Sequence, residues 1–170
     1  MGLGAPVRKA SLPPSKQLLV FNVEDDNVYE VWTDGACEPN PGKGGWGYLI
    51  RDRRGEEWED CGGERYTTNN RMELIGILMA LKALPDAASA VIYSDSQYCV
   101  NGLTSWHAKW VKKDWKRKDG TDMPNRDLWL LLHQENQRVV ASYSWVRGHC
   151  GNEGNERADR LASQGRAKLL

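Results

Sequence analysis

Four acids and one histidine carry the chemistry worth considering first. Asp34 closes the apolar run Val28–Thr33, and Asp95 follows the apolar run Ala90–Tyr93 through Ser94, so each acid sits where a strand ends. If those strands lie side by side and parallel, their carboxyl ends emerge together, at the crevice where open α/β sheets bind ligands. Two carboxylates in one crevice repel each other unless something positive sits between them. Glu73, Asp159 and His149 each have a plainer reading. Asn70 and Glu73 stand three apart, the spacing of a capping box. Asp159 lies beside Ala158, Leu161 and Ala162 on a helical stretch, where a lone acid is ordinarily solvated. His149, between Gly148 and Cys150-Gly151, reads alone as an exposed loop histidine. Only convergence with Asp34 and Asp95 would give these three a chemical role.

The elements that must position them follow from periodicity. Val28–Thr33 reads as a strand, followed by the loop EPNPGKGG. Trp46–Arg51 and Glu57–Glu64 form a hairpin around Arg53-Arg54-Gly55. Thr67-Thr68-Asn69-Asn70 offers helix caps before Leu74, Ile77, Leu78 and Leu81 at helical spacing, with Met72, Ile75 and Met79 on a second apolar stripe. That helix should be largely buried and should stop at Pro85. Ala90–Tyr93 is a short strand, Ser96 can open a helix, Asp127–Arg138 reads as a helix, Val139–Val146 as a strand and residues 155–168 as a closing helix. The order is βββαβα, a basic insertion, then αβα, with no internal repeat.

Composition bounds the class. The chain has 170 residues, 40% hydrophobic and 27% charged, which suits one globular domain with a real core. No apolar run approaches the roughly 20 residues of a membrane span, so no membrane partner is expected. Residues 1–16 lack the apolar stretch of a secretory signal. Cys37, Cys61, Cys99 and Cys150 form no C-x-x-C pair, which fits reduced thiols in a cytoplasmic protein. Net charge is zero, but residues 24–64 carry −8 and residues 106–126 carry +4. In the basic segment Lys109, Lys112, Lys113, Lys116, Arg117 and Lys118 are interleaved with Trp106, Trp110 and Trp115. Such a segment can neutralise phosphates and pack on sugars or bases, or it can be a solvated helix whose Trp106 and Trp110, at i and i+4, dock onto the domain. Both can hold, with tryptophans inward and lysines outward.

TDGACEPNPGKGGWGYLI, TTNNRMEL, SDSQYCV and WVRGHCGNEGNERADRLA resemble, in order and spacing, the four motif blocks of a type 1 ribonuclease H. The resemblance runs from about Val28 to Gly165, and the basic insertion is similar to that family's handle. It implies an α/β, ribonuclease H-like fold: a five-stranded mixed sheet, order 3-2-1-4-5, flanked by helices. A catalytic domain over 28–166 with a handle at about 105–126 is expected, between a flexible tail at 1–27 and a short one at 167–170. By the same resemblance Asp34, Glu73, Asp95 and Asp159 are metal-binding carboxylates, and His149 is a mobile catalytic histidine. Asn40, Asn69, Asn70 and Gln97 would contact the RNA strand, Thr68 and Asn125 a DNA phosphate, Trp106 the DNA channel, and Lys112, Lys113 and Lys116 the handle's share of substrate. Pro39 and Cys150 depart from the residues usual at their positions.

The activity implied is hydrolysis of the RNA strand of an RNA–DNA hybrid, leaving 5′-phosphate and 3′-hydroxyl ends. Two Mg²⁺ ions, with Mn²⁺ as a substitute, are the implied cofactor, since hard octahedral cations take oxygen ligands. A monomer is expected. Three rivals are weaker. A binding module would not need four carboxylates, and a related DNA nuclease would not need TTNNRMEL, GHCG and the handle. A two-histidine ribonuclease finds His107 and His133 in no matching context.

Overall fold

A computed structural model describes residues 26–169. The expected tail at 1–27, including the apolar stretch Leu18–Val23, therefore falls almost wholly outside the described residues.

Three antiparallel strands, β1 (Val28–Cys37), β2 (Gly42–Asp52) and β3 (Glu57–Thr67), open the domain. The β2–β3 turn forms where expected: Gly55 takes φ +86° and donates its N–H to the Asp52 carbonyl at 3.1 Å. Helix α1 (Asn69–Ala83) leads to β4 (Ser89–Ser94), then to α2 (Gln97–Asn101), a π-helical turn (Gly102–Trp106) and α3 (His107–Lys112). Helix α4 (Arg126–Arg138), strand β5 (Val140–Trp145) and helix α5 (Glu153–Ala167) follow. The sheet order is β3-β2-β1-β4-β5, with β1, β4 and β5 parallel.

Both apolar stripes of α1 are used. Met72, Leu74, Ile75, Ile77, Leu78, Ala80 and Leu81 are all buried in one cluster with Val31, Ile50 and Ile92 from the sheet and Leu128, Trp129 and Leu132 from α4. Helix α5 covers the other face of the hairpin and β1. Three strands run past their expected ends. β2 begins at Gly42, inside the expected loop, and β3 continues to Thr67 rather than Glu64, because the two keep pairing there, Gly42 opposite Thr67. β1 does not stop at Thr33 but continues to Cys37, because β2 goes on pairing with it, Asp34 opposite Gly47 and Cys37 opposite Gly44. Its pairing with β4 does stop there, at Thr33 opposite Ser94. Asp34 is thus the first β1 residue beyond the parallel ladder, in the gap the alternating connections leave at a sheet crevice.

The basic segment is anchored by aromatic packing. Trp115 is 2% exposed and stacks on Trp129 at 6.1 Å between centroids, and Trp110 meets Trp129 edge-on at 5.0 Å. Trp106 touches Trp110 at 5.5 Å yet stays 40% exposed. Docking therefore falls to Trp110 and Trp115 rather than to Trp106 and Trp110. Lys109, Lys112, Lys113, Arg117 and Lys118 are exposed. Lys116 is half-buried and ion-paired to Asp122 at 2.9 Å, across a turn at Gly120.

Candidate active site

Asp34, Glu73 and Asp95 each bring a carboxylate oxygen within 4.8 Å of the other two. Three elements contribute: β1 just past its parallel ladder, the first half of α1, and the residue after β4. Close backbone approach makes this possible. A Cβ on Gly35 would sit 2.4 Å from the Glu73 nitrogen and 2.3 Å from the Met72 carbonyl carbon, so α1 rests directly on β1 at that point. The Gly35 N–H is directed to both the Asp34 and the Glu73 carboxylates.

Glu73 is not a capping residue. Thr68 is the N-cap, its hydroxyl accepting from the Arg71 N–H at 3.2 Å, and the first turn of α1 holds no acid. A cap two residues before Asn70 carries Glu73 beyond the third helical position, where it cannot reach back to the cap N–H. Its Oε1 is buried with no hydrogen-bond partner.

The site is electrostatically strained. Burial first, then the Asp95 charge, then a side-chain hydrogen bond with Asp159, push the Asp34 carboxyl up to about 8. Burial, then the charges of Asp34 and Asp95, hold Glu73 well above the ordinary carboxylate range. Asp159, on α5, lies outside the group of three and meets it through Asp34. An all-oxygen donor set, an orphaned buried carboxylate oxygen and mutual repulsion are what a hard divalent cation would relieve. The residues present fit such an ion.

His149 is exposed on the β5–α5 turn with φ +57°, and Gly148 before it lies against Asp95. Asn40 and Asn69 occupy one corner: the Asn40 Oδ1 accepts from the Asn69 N–H at 3.1 Å, and the Asn69 Oδ1 accepts from the Cys37 N–H at 2.7 Å. Asn70 and Gln97 are exposed near the starts of α1 and α2. Thr68 and Asn125 are joined by a residue that sequence spacing does not single out. Arg71 donates its N–H to Thr68, reaches the Asn125 Oδ1 at 3.3 Å, and forms a bidentate pair with Asp127 at 3.0 and 2.9 Å. Its place inside TTNNRMEL, between the caps and Glu73, is the one signal the sequence offers for it. His107 and His133 are not part of this site. They bond each other, Nε2 to Nδ1, at 3.0 Å between α3 and α4, leaving no room for a phosphate between them.

The family model described as RNase H matches residues 26–167. The chain belongs to the RNase H family. It is 47% identical over 141 residues to the Ribonuclease H of Bordetella pertussis, covering 83% of this chain and 90% of that protein. It is 46% identical over 140 residues to the Ribonuclease H of Gluconobacter oxydans, covering 82% and 93%. Among solved structures, LC9-RNase H1, a type 1 RNase H with the type 2 active-site motif, superposes with a TM-score of 0.76 at 31% identity over 84% of this chain and 74% of its own. LC11-RNase H1, solved in complex with an RNA/DNA hybrid, shares the fold with a TM-score of 0.63 at 23% identity, covering 84% and 99%. As a ribonuclease H, this chain is an endoribonuclease with the five-stranded sheet of its family.

Proposed function

We propose that this ribonuclease H hydrolyses the RNA strand of RNA–DNA hybrids, with Asp34, Glu73, Asp95 and Asp159 holding divalent metal. The observation that carries the reading is the convergence of Asp34, Glu73 and Asp95 on one point, with the Glu73 Oε1 buried and unpartnered. Two Mg²⁺ ions bound there would supply an activated water and charge neutralisation at the leaving 3′-oxygen, giving 5′-phosphate and 3′-hydroxyl ends.

The chain's own residues do the rest. Buried Asp34 and half-buried Glu73, both met by the Gly35 N–H, give the site a fixed geometry before substrate arrives. His149, exposed on its left-handed turn, moves a proton to or from water beside the carboxylates. Asn40, Asn69, Asn70 and Gln97 lie at strand and helix ends around the site and read the RNA strand, whose 2′-hydroxyls distinguish it from DNA. Thr68, Asn125 and the Arg71 that links them form a donor group for a phosphate of the deoxy strand. Trp106 lines that strand's channel, and Lys112, Lys113 and Lys116 form the handle's phosphate-facing side. The protein acts as a monomer in the cytoplasm.

A hybrid labelled on one strand at a time tests the proposal, with DNA and RNA duplexes as controls, in Mg²⁺ and in EDTA. Cleavage of the RNA strand alone, only in Mg²⁺ and leaving 5′-phosphates, is expected. Cleavage that persists in EDTA, or that reaches the DNA duplex, overturns it.

A further inference from the structure

Asp95 stands where the sheet stops supporting the chain. The last β4–β5 pair is Ser94 opposite Trp145, and the Val146 N–H donates to the Ser94 carbonyl at 2.9 Å. Asp95 therefore lies one residue past the ladder. Its neighbours are fixed locally: the Ser96 N–H donates to the Ser94 hydroxyl at 3.1 Å, and the Ser96 hydroxyl accepts from the Cys99 N–H at 3.2 Å, capping α2. The carbonyl of Asp95 itself accepts from the indole N–H of Trp145 at 3.1 Å. Trp145 ends an edge strand and is 41% exposed, so its ring is no ordinary core filler.

The same stretch of chain meets Asp95 a second time. A Cβ on Gly148 would lie 2.6 Å from the Asp95 Oδ2. Gly148 is not among the left-handed residues of the turn, whereas His149 and Gly151 are. Its missing side chain answers to the Asp95 carboxylate, not to backbone conformation. The stretch 145–148 thus grips Asp95 at its carbonyl and at its carboxylate.

We propose that Trp145 is a positioning residue for Asp95, holding the peptide from which that carboxylate projects, with Gly148 as the seat the carboxylate rests against. This rests on the reading of Asp95 as a metal ligand. Site geometry must be held within about 0.5 Å, and groups that orient a ligand govern metal affinity even though they never touch the ion. Trp145 would therefore act on metal binding more than on folding, since an exposed carbonyl that loses the indole can turn to water.

Calorimetric titration of the free protein with MgCl₂ tests this for wild type, Trp145→Phe, Gly148→Ala and Asp95→Asn, beside the Mg²⁺ dependence of hybrid cleavage and melting in EDTA. Trp145→Phe keeps an aromatic ring and removes the donor. It should weaken Mg²⁺ binding and raise the half-saturating Mg²⁺ by about 3- to 10-fold, or about 0.6–1.4 kcal/mol. Turnover at saturating Mg²⁺ and melting in EDTA should stay close to wild type. Gly148→Ala should shift Mg²⁺ binding in the same direction, because its methyl displaces the carboxylate. If Trp145→Phe binds Mg²⁺ as wild type does while Asp95→Asn binds it poorly, the metal site stands and the positioning role falls. If wild type and Asp95→Asn bind alike, the metal reading of Asp95 falls and takes the proposal with it.

Discussion

The Gly35 N–H is directed to both Asp34 and Glu73, and it does not offset the desolvation and mutual repulsion of three carboxylates held this close. Their environment raises the Asp34 and Glu73 carboxyls above the ordinary range, and a bound cation would favour the charged forms instead. His149 differs in kind, being exposed on a turn rather than built into the strained cluster. His149→Ala should slow turnover by about 10²-fold or less at saturating Mg²⁺, because water can carry the proton in its place. Single-turnover assays measure this, and a loss as complete as that of a carboxylate variant would make His149 part of the metal site. Among residues, the sequence is legible where residue type and strand position agree. Asp34 and Asp95 stand at apparent strand ends, and both lie at the crevice. Glu73 is ambiguous, since an acid three residues after Asn70 reads as a cap until the true cap is seen to be Thr68. Arg71 escapes notice because its bonds to Asn125 and Asp127 span more than fifty residues, a distance that periodicity cannot bridge.

Elements are more legible than their ends. Helical spacing marks both stripes of α1, and β-rich composition with turn residues marks the hairpin and β4. β1 runs past Asp34 because its end is set by the partner strand β2, which no window of residues around Asp34 contains. In the basic segment the tryptophans and the lysines have different surroundings. Trp110 and Trp115 pack against Trp129, while Lys112 and Lys113 stay exposed. That division makes the lysines unequal. Neutralising Lys112 and Lys113 should weaken hybrid binding for all sequences alike and lower the slope of log affinity against log salt by about one for each phosphate left without its lysine. Lys116→Ala should change the slope less, since Asp122 already meets its charge. Affinities measured across a salt series decide this, and an unchanged slope for Lys112 and Lys113 would leave the segment a packing role only.

For the whole molecule, the carboxylate cluster sets a stability that depends on pH and metal. Asp34 is held at about 8 when folded, against 3.8 for an unperturbed carboxyl. Between those values the folded state keeps a proton that the unfolded state releases, so this group's contribution falls as pH rises from about 4 to about 8. Asp34→Asn has no proton to lose there. In EDTA it should melt close to wild type near pH 4 and above it near pH 8, by at least the roughly 2–4 °C that about 1 kcal/mol gives a domain of this size. Millimolar Mg²⁺ should narrow the gap, since an ion that binds only the folded state stabilises wild type more. Equal melting across that range would mean the Asp34 carboxyl is not strained. Hybrid cleavage by Glu73→Gln puts the metal-binding cluster to its sharpest test. Glu73 is the member of the cluster that sequence spacing assigns to capping and that the structure leaves with an orphaned buried oxygen. The variant should still bind a labelled hybrid measurably yet lose Mg²⁺-dependent cleavage of its RNA strand, and cleavage at a rate near that of wild type would contradict a metal-binding role for Glu73.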